Sequence, residues 1–217
     1  MQGKHVQIPD RIDILGVGVH PLTKNELLDA ILGWAGSSQQ RVIGHVNVHG
    51  MNLAHRSERF RESVAAADLV FCDGYGVLWG ARQLGLEIPE RLAVMDWIDD
   101  LAGRIATTDR SIFLLGDEEG IAELCARDMQ AKHPALQIAG THHGFFDKHG
   151  PESDSVVEKI NASGADILLV GFGMPLQEYW IEENSALLQP SVLMPVGATY
   201  RWYAGIEPRA PRWMIDR

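Results

Sequence analysis

Apolar positions in the second half of the chain fall into two alternating periods. Short unbroken runs, "SIFLLGD" (111–117), "LQIAGT" (136–141), "ADILLVGFG" (165–173) and "SVLMPVG" (191–197), read as strands buried on both faces. Between them, "EEGIAELCARDMQAKHP", "ESDSVVEKINASG" and "LQEYWIEENSALL" place apolar residues at helical spacing. The first of these starts acidic and ends basic before a proline, which suits a helix dipole, and the second stops at Gly164. The first half repeats the rhythm, with "RIDILGVGV", "RVIGHVNV" and "DLVFCDG" as strands and helices over 23–35, 50–66, 75–84 and 92–107. Strands alternating with helices predict an α/β fold, a Rossmann-like, mostly parallel sheet with helices on both faces. No internal repeat or long linker interrupts 1–217, so one α/β core is expected, with a soft seam near 107–110.

In such sheets ligands bind at the carboxyl ends of strands, and polar residues gather there. One strand ends in His45, Asn47 and His49, the next in Asp73 and Gly74, and others in Gly116–Asp117, Thr141 and Gly197. The stretch "VGFGMPLQEYW" (170–180) is the most informative, since Gly171, Gly173, Pro175, Gln177 and Glu178 follow one core strand. Glycines at 171 and 173 let a ligand approach the backbone, and the next helix N-terminus suits a phosphate. "GVG", "DGYG" and "GFG" all lack the full G-x-G-x-x-G fingerprint, the sixth position of the last being Leu176. Gly16 and Gly18 read as tight-turn residues. Asp73 reads either as a helix N-cap or as a general base, a carboxylate beside a glycine at a strand end.

Metal chemistry finds little support in the residues. His45 and His49 straddle a strand end, adjacent His142 and His143 diverge, and the chain has no Asp-x-Asp. No metal and no other cofactor is expected. No G-x-S-x-G elbow is present either.

Composition narrows the class further. A chain of 217 residues can bury roughly 70% of its unfolded surface without staples. Two cysteines without paired spacing suit a reducing, cytoplasmic setting. The sequence has no apolar run long enough to span a membrane and no signal-peptide order at its start. A net charge of −10 argues against a nucleic-acid partner. Against that background Arg209, Arg212 and Arg217 form a local basic cluster suited to an anionic partner.

The stretches "HVNVHGMNLA", "ADLVFCDGYGVLWGARQLGLEIPERLAVMDW", "FLLGDEEG", "HHGFF", "INASGADILLVGFGMPLQEYWI" and "VGATYRWYAGIEPRAPRWM" together resemble the WecG/TagA/CpsF glycosyltransferases of bacterial cell-surface polymer synthesis. The resemblance runs in order from about residue 40 to 214. It implies inverting, metal-independent transfer of a sugar, of N-acetylmannosamine type, from a UDP-sugar to a polyprenyl-diphosphate-linked sugar. The place implied is the inner face of the cytoplasmic membrane, with peripheral attachment and self-association into a homo-oligomer. It makes Asp73 the base and assigns substrate binding to His45, Asn47, Gly74, Arg91, Asp96, Gly171, Gly173, Gln177, Glu178 and Arg209. His45 stands where the family often has threonine, and Met95 where glycine usually precedes the second aspartate. Family members usually continue past Arg-Ala-Pro with a Trp-containing, arginine-rich tail, whereas this sequence stops at Arg217. A core with an open pocket, weak membrane attachment and feeble transfer is therefore expected. Two rivals remain at this level: a nicotinamide-dependent oxidoreductase and a non-catalytic UDP-sugar-binding protein.

Overall fold

Apolar runs and helical stretches alternate in the computed structural model much as their periods predict, and the structure describes residues 8–208. Six strands form one parallel sheet: β3 (Arg41–Val46), β4 (Leu69–Cys72), β5 (Ser111–Gly116), β6 (Gln137–His142), β7 (Ile167–Gly171) and β8 (Val192–Pro195). Their order is β4-β3-β8-β7-β5-β6, and every pair is parallel. β3 and β4 come from before the expected seam at 107–110 and the other four strands from after it; β8 pairs with β3, so the sheet is continuous across that point.

Alternation along the strands sends side chains to two helical layers. Ile112, Leu114, Ile167, Leu169, Val192 and Met194 pack with α1 (Lys24–Trp34), α5 (Val94–Ile105) and α6 (Ile121–Lys132). Phe113, Leu115, Leu168, Val170 and Leu193 pack on the other face with α7 (Pro151–Ala162) and α8 (Leu176–Asn184). Alongside, α2 (Val48–Arg56), α3 (Glu58–Ala66) and α4 (Tyr75–Gln83) cover β3 and β4 through Val46, Val70 and Cys72. The short α9 (Thr199–Tyr203) follows β8.

Three expectations are corrected. "RIDILGVGV" is no sheet strand but an antiparallel hairpin, β1 (Ile12–Ile14) with β2 (Val17–Val19). Leu15 and Gly16 turn it at φ 53 and 85, the left-handed pair that matches the twist of a two-residue hairpin. The hairpin leads to His20, whose N–H donates to the Val70 carbonyl while its Nδ1 accepts from the Val70 N–H. The outer edge of β4 is thereby covered. Secondly, the helix expected over 50–66 is two helices. Ser57, extended at φ −128, accepts from the Phe60 N–H and caps α3 just where α2 ends, since a serine competes locally for backbone donors. Thirdly, "RVIGHVNV" leaves the sheet at Val46, and Asn47 is the N-cap of α2.

The geometry that makes a site lies between β3 and β8. Their register covers Arg41↔Val192 and Val42↔Leu193 only. The Val196 N–H bonds Val170 in β7, so residue 195 faces β3, and as proline it has no N–H to donate. The ladder stops there, and the carboxyl ends of β3 and β8 part.

Candidate active site

A cleft of about 470 Å³ opens where these strands part. His45, Asn47, Asp73, Arg91, Met174, Gln177, Thr199 and Trp202 are among its lining residues.

Asp73 directly follows the fully buried strand "LVFC", and its N–H bonds the Val46 carbonyl at 2.8 Å, which fixes it beside the end of β3. It is not a helix cap: Gly74, at φ 139, occupies that position of α4 without a side-chain bond. The Asp73 carboxylate lies 3.6 Å from His45 Nε2. Burial raises its pKa, against the lowering effects of His45 and Arg91. A carboxylate so placed binds a proton more readily than one in water, the property a general base needs. His45 is itself stacked on Phe71, its register partner in β4, at 5.5 Å between ring centroids.

Arg91 comes from the loop ahead of α5. Leu92 N–H bonds the Cys72 carbonyl at 2.8 Å, and the Trp97 indole N–H donates to the Leu92 carbonyl at 3.0 Å, which pins the loop to the end of β4. The guanidinium pairs with Asp96 and lies over the Tyr75 ring, 4.6 Å from its centroid. Asp96 is engaged with Arg91 and is not among the residues that line the cleft. Asn47 uses Oδ1 to accept from the Gly50 N–H at 2.9 Å.

Gln177 has an unexpected employment. Fully buried, it accepts through Oε1 from Gly173 N–H at 3.1 Å and from Gly197 N–H at 3.0 Å, while its amide donates to Glu178 at 2.9 Å. One side chain therefore ties the end of β7 to the end of β8. Gln177→Leu deprives both N–H groups of their acceptor and is expected to cost about 2–5 kcal/mol. A drop of roughly 10 °C in thermal midpoint would follow for a chain of this size, and an unchanged midpoint would deny the tie. Glu178 is also buried, and desolvation raises its pKa, opposed first by His45.

Gly171 and Gly173 face a second cleft, of about 710 Å³, that shares Gly197 and Ala198 with the first. Gly171 is small because a Cβ there would sit 2.8 Å from the Gly197 carbonyl oxygen and 3.0 Å from the Tyr200 ring. Lys148 and Arg201 line this second cleft. Lys148 Nζ donates to the Phe146 carbonyl at 2.8 Å and lies 4.5 Å from the Phe172 ring centroid, while Arg201 holds Asp117 at 2.8 Å. Neither residue stood out in the sequence, nor did Thr199 or Trp202. Thr199, Arg201 and Trp202 all belong to "VGATYRWYAG", the segment after β8, which was the available signal. The structure therefore brings His45, Asn47, Asp73, Arg91 and Gln177 onto one cleft and Gly171 and Gly173 onto its neighbour, while Glu178 and Asp96 are not among the lining residues of either. Arg209 lies outside the described residues. Among the described residues no group of three or more His, Cys, Asp or Glu side chains is placed to hold a metal ion.

A model described as "Glycosyl transferase WecG/TagA/CpsF family" matches residues 12–217. Similar curated proteins include the N-acetylglucosaminyldiphosphoundecaprenol N-acetyl-beta-D-mannosaminyltransferases of Staphylococcus aureus strains NCTC 8325 / PS 47 and MRSA252. Each is 27% identical over 203 residues, a span covering 93% of this chain and 78% of the relative.

Proposed function

The chain belongs to the WecG/TagA/CpsF glycosyltransferase family, and from that premise we propose that it moves an N-acetylmannosamine-type sugar from a UDP-sugar to a polyprenyl-diphosphate-linked sugar, with inversion. The observation that carries this reading is the Asp73 carboxylate, half enclosed at the strand ends with His45 and Arg91 beside it. Asp73 takes the proton of an acceptor hydroxyl as that oxygen bonds to the anomeric carbon. The bond from that carbon to the UDP oxygen breaks on the opposite face, and the electron pair leaves with the diphosphate.

Developing charge on the leaving group needs fixed positive potential. Arg91 supports that role, as do the N-termini of α4 and α8, which carry no side-chain caps. Protein cations and N–H groups acting alone make transfer metal-independent. Transfer measured with UDP-N-acetylmannosamine and a short-chain lipid-diphosphate N-acetylglucosamine acceptor is expected to survive a chelator within about twofold. An absolute divalent-cation requirement would overturn this account of the leaving group.

The acceptor implies work at the inner face of the cytoplasmic membrane. No helix among the described residues is long and apolar enough to cross one. In support of peripheral attachment, Val48, Tyr75, Phe145, Leu176 and Trp202 are all exposed and all follow carboxyl ends of strands. Such residues suit the boundary between headgroups and acyl chains. Co-flotation with vesicles is expected to weaken when Phe145 and Trp202 are both replaced by serine; equal flotation would point the membrane contact elsewhere.

A further inference from the structure

The two ring nitrogens of His45 meet different surroundings. Nε2 lies 3.6 Å from Asp73 Oδ2, whereas Nδ1 is buried without a hydrogen-bond partner. Glu178 is in the complementary condition. Its Oε1 takes the Gln177 amide at 2.9 Å, and its Oε2 is buried with no partner. His45 is 4% exposed and Glu178 8%, so neither atom can turn to bulk water. Both residues line one small cavity of about 150 Å³ where β3 and β8 part, beneath α3 and α8. His45 also lies close enough to both carboxyls, Asp73 on one side and Glu178 on the other, that a proton on its ring would lower the pKa of each. Buried polar atoms left apart are costly, and joined they satisfy each other.

We propose that Glu178 and His45 are positioning residues for Asp73, with Glu178 Oε2 and His45 Nδ1 joined through one water that donates to both, so that Nε2–H is held toward Asp73 Oδ2. This rests on Asp73 being the base of the transfer reaction. Such a water gives one hydrogen to each acceptor, which leaves Nδ1 bare and makes Nε2 the ring nitrogen that carries the proton. With Oδ2 engaged, Oδ1 is the oxygen left to receive the acceptor hydroxyl proton, and His45 neither gains nor loses a proton in the step. The other titratable groups facing the three are Cys72 and Arg91 beside Asp73, His49 beside Glu178, and Glu182 on the wall of the same cavity. The geometry follows the general rule that the hydrogen bond at one imidazole nitrogen decides the tautomer presented by the other.

The first test uses the unaltered protein and no substrate. Two-bond ¹H–¹⁵N correlation of the His45 ring at pH 8 is expected to show Nε2 protonated and Nδ1 bare. The opposite tautomer, or an imidazolium, would overturn the proposal. The second test is the pH profile of transfer. Glu178→Met removes the group that holds this water, so Asp73 loses part of its support and the acid limb of kcat is expected to move up by about one pH unit, with donor KM within about twofold. Glu178→Gln keeps a polar group for the water and is expected to keep the limb in place while losing at most several-fold in rate. A merely structural Glu178 would lower thermal midpoint and rate together and leave the limb where it was, and that result also sinks the proposal. If Glu178→Met does not fold, the ring correlation decides. If the unaltered protein transfers no sugar, the reaction assignment fails, and the tautomer remains independently readable.

Discussion

Asp73→Asn is expected to leave UDP-sugar affinity near its original value and to lower turnover by roughly 10²–10⁴. The substitution is close to isosteric. The amide oxygen it introduces can still accept from His45, whose Nε2 lies 3.6 Å from the present carboxylate, and the N–H tie to Val46 is a backbone bond that no side chain alters. What disappears is the capacity to take a proton. Because burial raises the Asp73 pKa, the acid limb of kcat in the unaltered enzyme is expected above the ordinary carboxylate range near ~4. The sign follows directly: the ionised form is the active one, so rate falls as pH drops through the raised pKa. Arg91 and His45 both lower that pKa, so Arg91→Ala moves the limb further up. Turnover of Asp73→Asn within a few-fold of the original would remove Asp73 from the chemistry.

Much of this arrangement was legible from residue order, for a definite reason. Unbroken runs such as "LLVG" and "LVFC" suit strands covered on both faces, and parallel sheets concentrate chemistry at one edge. Asp73, His45, Asn47 and Arg91 therefore stand out in the sequence as strand-end or motif residues. The hairpin at 12–19 escapes such a reading because a short apolar run looks the same in a hairpin as in a sheet. Only the Leu15–Gly16 turn separates the two, and leucine is a poor advertisement for a left-handed conformation. The tie made by Gln177 was illegible for another cause. It depends on β7 and β8 lying side by side, a pairing that brings residue 173 next to 197. Lys148, from the segment after β6, and Arg201, from α9, likewise meet only after the sheet is ordered β8-β7-β5-β6.

Gly116→Ala is expected to destabilise the protein by about 3–5 kcal/mol, a large loss for a single added methyl. Gly116 ends β5 at φ 146, where a side chain is strained whatever the space. Space is lacking too: a Cβ would stand 2.7 Å from the Gly171 carbonyl carbon and 2.8 Å from its Cα. Neither neighbour can yield easily. The Gly171 carbonyl accepts from Asp117 N–H at 3.1 Å, Gly171 is packed against Gly197 and Tyr200, and Tyr200 hydroxyl is anchored on the Leu169 carbonyl at 2.7 Å. The methyl would therefore push β5 and β7 apart at their carboxyl ends, and the displacement would reach Gly173 and Gly197, the two residues held by Gln177. Thermal unfolding should shift down by roughly 10 °C or more, and UDP-sugar affinity should fall with it because both clefts share Gly197. Gly80→Ala, on α4 with open space around the added methyl, is the control, and it should be neutral or slightly stabilising. Equal midpoints for the two variants would mean that the strand ends tolerate a gap, and that the close backbone approach at Gly116 does not shape the clefts.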